Sequence, residues 1–137
     1  KTVIFRYFNV YGDRAPRKGQ YSPVIGIFLR QRDSGEELTI VGDGEQRRDF
    51  VHVSDVVSAN ITAAMSDISD EHYGQVYNVG SGKNYSVNEI ASWISDKQTH
   101  LPERPGEVRV SLANIDKIKN AFGWEPKVEL EEWVRSR

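Results

Sequence analysis

The run Arg6-Tyr7-Phe8-Asn9-Val10-Tyr11-Gly12 constrains this chain more than any other stretch. Thr2 to Phe8 is rich in β-branched and aromatic residues and reads as a buried strand. It delivers an asparagine to its carboxyl end and passes at once into a glycine-bearing turn. In open α/β sheets ligands sit just outside the carboxyl ends of strands, so Asn9 is the expected place for an amide that holds a ligand. A lone strand cannot make a parallel sheet, and the expectation is therefore the back half of something larger.

Further along, strand-like and helix-like signals alternate, which predicts an α/β fold. Asp13 to Ser22 is a polar loop. Ser22 as N-cap and Pro23 in the first turn open a helix with Val24, Ile27 and Phe28 at helical spacing, and Gly35 ends it. Leu38 to Val41 is a short strand closed by the turn Gly42-Asp43-Gly44. Asp49 to Val53 alternates as another strand, after which Ser54 caps a helix to about Met65 with Val56, Val57, Ile61 and Ala64 on one face. Gln75 to Val79 is a strand ended by Gly80-Ser81-Gly82. Ser86 and Glu89 form a capping box for a helix that carries Ile90, Trp93 and Ile94 inward. Leu101 to Glu107 holds two prolines and reads as a loop. Asn114 caps a short helix with Ile115, Ile118 and Phe122, stopped by Gly123, and Glu129 to Arg137 is a final helix anchored by Trp133.

Composition narrows the function classes. The 137 residues suit one domain, and 38% hydrophobic content allows a core of ordinary rather than generous size. Eighteen basic residues against twenty acidic ones, interspersed, give no basic stripe for nucleic acid. No cysteine is present, which removes disulfides and thiolate metal sites and suits a reducing compartment. Apolar runs are too short to span a bilayer, so a cytoplasmic protein without a membrane partner is expected.

Few residues suggest chemistry on their own. Gly42-Asp43-Gly44-Glu45-Gln46-Arg47-Arg48 places two arginines at the entry to a strand, and a guanidinium fork suits a diphosphate. Taken alone, the segment reads as a hairpin with solvated charges. Arg104 and Glu107, on the proline-glycine loop, suit a phosphate or base and a sugar hydroxyl respectively. Taken alone, they read as an exposed ion pair of little worth. Val79-Gly80-Ser81-Gly82 lacks the full phosphate-loop spacing and reads as a plain turn. His52 reads as a packed histidine, and His72 and His100 lack partners at metal spacing, so no metal site is expected. Asp55 reads as a first-turn carboxylate facing a helix dipole. Ser81 and Ser111 have no histidine or aspartate context, so no catalytic nucleophile is assigned.

Together, RYFNVYG at 6–12, GDGEQRRDFVHVSDVV at 42–57, YNVGSG at 77–82, SVNEIA at 86–91 and RPGEVRVSLANIDKIKNAFGWEP at 104–126 resemble the NAD-dependent epimerase/dehydratase family, the extended short-chain dehydrogenases. The likeness covers nearly the whole chain, in family order, and is greatest to the UDP-sugar 4-epimerases. It implies the C-terminal portion of a Rossmann-type enzyme: the last sheet strands plus a small α/β substrate lobe. Residues 1–137 would then be a single nucleotide-sugar binding lobe, with the N-terminal NAD-binding domain absent.

By position, the resemblance implies that Asn9 contacts the sugar-diphosphate and that Tyr7 and Phe8 lie beside the nicotinamide of NAD. Arg48 would bind the diphosphate, Arg104 and Glu107 the nucleoside end, and Val24 and Val41 the base, while Arg47 faces solvent. The implied partners are a UDP-sugar and the N-terminal half of a homodimeric parent. The family's glycine fingerprint and Tyr-x-x-x-Lys pair do not occur in the sequence. The chain alone is thus expected to be inactive and a poor holder of NAD. A dehydratase, a decarboxylase or a non-catalytic nucleotide-sugar binding module are the other readings. Family comparison also implies about six residues fewer between Trp93 and Arg104, where an edge strand usually sits, a trimmed last helix, and Ala15 in place of a frequent glutamine.

Overall fold

The computed structural model describes residues 1–19 and 21–137. Gln20, inside the loop expected over 13–22, lies outside the described residues. Among the described residues eight short strands pair two by two. Strand β1 (Ile4–Tyr7) runs parallel to β6 (Val76–Val79), β2 (Asn9–Tyr11) parallel to β5 (Phe50–His52), and β3 (Leu38–Val41) parallel to β8 (Gln98–Leu101). Strands β4 (Arg47–Arg48) and β7 (Tyr85–Ser86) pair antiparallel. The helices are α1 (Val24–Asp33), α2 (Val53–Met65), α3 (Val87–Ile94), α4 (Asp116–Phe122) and α5 (Leu130–Arg135).

Two apolar clusters hold these elements. In the larger, Phe28 and Leu29 of α1, Leu38 and Ile40 of β3, Ile90 of α3 and Trp133 of α5 pack around Tyr11 and Phe50. The smaller joins Val51, Val56, Tyr77, Val79, Ile118 and Trp124. Trp124 is buried with its indole N–H satisfied by the Asp55 carbonyl and the Ser58 hydroxyl, 3.1 and 2.9 Å away.

Several elements follow the sequence closely. The capping box forms as expected: the Glu89 N–H donates to Ser86 Oγ at 3.0 Å and the Ser86 N–H to Glu89 Oε2 at 2.7 Å. Gly123 adopts φ 68°, and its N–H closes α4 on the Lys119 carbonyl at 2.8 Å. A left-handed residue there lets the chain leave the helix without a Cβ clash. At the other end of α4 Ile115, not Asn114, is the flanking residue, and Asn114 Oδ1 accepts the Asp116 N–H at 3.0 Å from two residues before the helix.

Other expectations are corrected. The first strand is shorter than expected and not buried, with Ile4 and Tyr7 each nearly half exposed. It also finds a parallel neighbour within the chain, because Val76–Val79 returns to lie beside it. Pro23, not Ser22, flanks α1, and no side chain caps that helix. His52, not Ser54, caps α2: its Nδ1 accepts the Ser54 N–H at 3.2 Å, so the strand stops at His52 and Val53 already belongs to the helix. Of the expected inner face of α2 only Val56 is buried, joined by Ala59; Val57 and Ile61 are more than half exposed and Ala64 is exposed. A strip at four-residue spacing marks one face of a helix but does not say which way it points. Finally, an edge strand does sit between Trp93 and Arg104, since β8 pairs along the full length of β3. Thr99 and its neighbours are compatible with strand but too polar to announce it.

Candidate functional site

Asn9, Val24, Val41, Arg48, Arg104 and Glu107 come from separate segments and line one cleft of about 250 Å3. Its walls are the start of α1 (Pro23, Val24, Ile27, Phe28), the half-buried side of β3 (Thr39, Val41), opposite its core residues Leu38 and Ile40, and Phe50, Val87 and Leu101. An apolar slot with a few charged groups at its mouth is the usual form of a small-molecule site. A second, larger cavity of about 500 Å3 shares Asn9 and Pro23 with the first and is otherwise lined by residues including Tyr11, Arg14, Tyr21 and Val53. Asn9 thus stands where the two spaces meet.

Strand pleating sorts the two arginines. Successive side chains leave a strand on opposite sides, so Arg47 and Arg48 part company. Arg48 turns to the cleft, its Nη1 donating to the Arg47 carbonyl at 2.9 Å and its Nη2 lying 3.6 Å from Glu107 Oε1. Arg47, expected in solvent, is instead tied to the scaffold. Its Nε and Nη2 donate to the Asn84 side-chain and backbone oxygens at 3.0 Å each, and its Nη1 lies 3.1 Å from Glu89 Oε2. The antiparallel β4–β7 pair brings Asn84 and Glu89 within its reach. Glu107 takes Arg48 as its partner, rather than the Arg104 that shares its loop.

Sequence reasoning gave Asp49 no role, yet it organises the site. Its carboxylate is fully buried and accepts from the Ser81 N–H (2.7 Å), the Ser81 hydroxyl (2.8 Å), the Gly82 N–H (2.9 Å) and the Ala113 N–H (3.1 Å). Its carbonyl accepts from Asn9 Nδ2 at 2.9 Å and from the Asn9 N–H at 3.2 Å. Asp49 therefore fixes Asn9, the neighbouring Arg48 and the chain downstream of Arg104 to one another. A Cβ on Gly80 would come within 3.2 Å of both carboxylate oxygens and closer still to Ala113, so only glycine lets this approach happen. No local spacing links Asp49 with Gly82 or Ala113; the connection exists only after folding.

The same contacts settle the glycine turn after β6. Its amides face an anion, but that anion is the chain's own carboxylate. That turn therefore offers no free phosphate cradle. Tyr7 and Phe8 lie outside the cleft: the Tyr7 hydroxyl bonds Asn60 of α2, and the Phe8 N–H bonds the Val79 carbonyl at 3.0 Å.

Asp55, His52 and Tyr11 lie close to one another, and His52 and Tyr11 carry shifted acidities. Asp55, in the first turn of α2, reaches back to accept the Lys127 and Val128 N–H groups at 3.0 and 3.1 Å, a wider role than facing the helix dipole. His52 packs against Tyr11 and Trp133, with ring centroids 5.1 and 5.7 Å away. Burial holds its imidazole below the ordinary histidine range despite the nearby Asp55, and raises the Tyr11 hydroxyl far above the usual tyrosine value.

Comparison with known proteins shows the family and the fold. The family model described as "NAD dependent epimerase/dehydratase family" matches residues 1–80. The chain belongs to that family. An epimerase/dehydratase relative from Methanocaldococcus jannaschii, described as a putative UDP-glucose 4-epimerase, is 36% identical over 97% of this chain and 43% of its own length. The solved UDP-glucose 4-epimerase of Thermotoga maritima, with UDP-glucose, is 39% identical with a TM-score of 0.83, covering 97% of this chain and 43% of that one. The UDP-glucuronic acid 4-epimerase of Bacillus cereus, solved with UDP-glucuronic acid and NAD, is 29% identical with a TM-score of 0.84, covering 96% and 42%. The α/β fold thus matches part of known epimerase/dehydratase structures, and the chain spans less than half the length of these relatives.

Proposed function

We propose that this chain is the C-terminal, substrate-binding portion of an NAD-dependent UDP-hexose 4-epimerase. The observation that carries the reading is the meeting of Asn9, Val24, Val41, Arg48, Arg104 and Glu107 in one cleft. Those six residue types suit a ligand with a flat base, a ribose and a diphosphate. In this reading the base lies between Val24 and Val41, Arg104 and Glu107 hold the nucleoside end, and Arg48 receives the diphosphate. Asn9 receives the sugar-diphosphate where the two cavities meet, so that the hexose extends into the larger space. Tyr7 and Phe8, which precede Asn9 and lie outside the cleft, are assigned to the nicotinamide side of a cofactor held mainly by other parts of the enzyme. The contribution of this chain is grip and orientation of the substrate.

Calorimetric titration of UDP into the chain tests the assignment. Arg48→Ala and Arg104→Ala should each weaken binding by about 1.5–3 kcal/mol, the range for hydrogen bonds to charged groups. Arg47→Ala should spare the affinity of whatever fraction remains folded, because its partners are Asn84 and Glu89. Equal losses at Arg47 and Arg48 would overturn the proposed diphosphate contact.

A further inference from the structure

The pairing of Glu107 with Arg48 asks for an explanation. A guanidinium poised for phosphate is here already facing a carboxylate, 3.6 Å away, at the mouth of the cleft. The Arg48 side chain is 18% exposed and the Glu107 side chain 37%, so the contact is only partly screened by water. Arg48 has one further acceptor, the Arg47 carbonyl at 2.9 Å, which holds one edge of the fork in place and leaves the edge nearer Glu107 for an anion. Glu107 itself follows Gly106, whose φ of 77° turns the loop sharply, and it belongs to a loop whose lower end is fastened by Arg109. That arginine grips Asp43 with two hydrogen bonds of 2.7 and 2.8 Å. The loop is anchored, and Glu107 is its charged group facing Arg48.

We propose that Glu107 is a specificity gate on Arg48, releasing it to phosphates only when the ligand also offers a vicinal diol. The proposal rests on the nucleotide-sugar reading above. A simple phosphate or pyrophosphate must displace the carboxylate from Arg48 and then share the cleft mouth with it, anion beside anion. A ribosyl diphosphate brings two O–H donors for the displaced carboxylate, and an ionised carboxylate can only accept. Its new hydrogen bonds offset the loss of Arg48. Ribose recognition and phosphate recognition are thereby coupled through one side chain, and abundant inorganic phosphates are discriminated against without any steric barrier.

Titrating the 137-residue chain with UDP and with inorganic pyrophosphate tests this. Glu107→Gln removes the charge but keeps the shape. It should raise pyrophosphate affinity about two- to fivefold, the span expected for a partly exposed ion pair, while UDP affinity stays level or falls. In an Arg48→Ala background the same substitution should raise pyrophosphate affinity by clearly less, because only charge repulsion is then relieved, and the difference between the two effects isolates the Arg48–Glu107 contact. If UDP binds but pyrophosphate affinity fails to rise in Glu107→Gln, or rises as much without Arg48, the gate is overturned and the binding reading stands. If UDP does not bind the unsubstituted chain at all, the nucleotide reading beneath the gate falls with it.

Discussion

At the scale of single residues, neighbours in sequence have opposite duties. His52 shows how a polar side chain can serve structure alone: it caps α2 with one ring nitrogen and packs between Tyr11 and Trp133 with its faces. Because burial lowers its pKa in the folded state, the unfolded chain takes up a proton first as pH falls. Stability from this group is therefore complete above the ordinary histidine pKa of 6.5 and is lost progressively as pH drops from there towards the depressed folded value. The thermal midpoint should fall between about pH 7 and pH 5.5. His52→Asn, which can still cap the helix, should flatten that slope; an unchanged slope in this variant would assign the titration elsewhere. Asn9 could be picked out as a candidate from its place at a strand end, and Arg48, Arg104 and Glu107 only through the family resemblance of their motifs, since their side-chain types alone read as solvated groups; the fold brings the four to one cleft. Asp49 and Asn84 could not, since their roles depend on partners about thirty or more positions away.

At the scale of elements, α3 was legible in full because its signals are local: a serine and a glutamate three apart, then apolar residues at helical spacing. Replacing Ser86 with alanine should cost roughly 0.5–2 kcal/mol, the usual price of losing an N-cap, measured by urea denaturation. The Glu89 N–H would then lose its acceptor at the buried Ser86 position, so a value near the upper end is expected. The face of α2 and the existence of β8 were not legible, for a shared reason. Both are decided by what lies opposite, and Val57 and Thr99 carry no record of their neighbours.

At the scale of the whole molecule, one side remains apolar. Val57, Ile61 and Met65 lie exposed along the outside of α2, and the Tyr7–Asn60 hydrogen bond places the half-exposed Tyr7 of β1 against the same helix. Exposed apolar surface of this kind promotes association, and β1 has no strand on its second edge among the described residues. The chain should self-associate in light scattering, and Val57→Lys with Ile61→Glu should reduce that association while shifting stability by no more than about 0.5 kcal/mol, as exposed positions usually do. On the opposite count, the ligand cleft is bounded by parts that cannot drift apart. β3 and β8 are hydrogen-bonded in register, the Gly42 N–H donates to the Leu101 carbonyl at 2.8 Å, and Arg109 ties the following loop to Asp43. The stretch that carries Arg48 and the stretch that carries Arg104 and Glu107 therefore move as one body. A jaw-like closure has no hinge to use here. Admission of a ligand would be a change of partners between two side chains over a backbone that stays still, on the picosecond-to-nanosecond clock of rotamer exchange rather than the far slower one of lids.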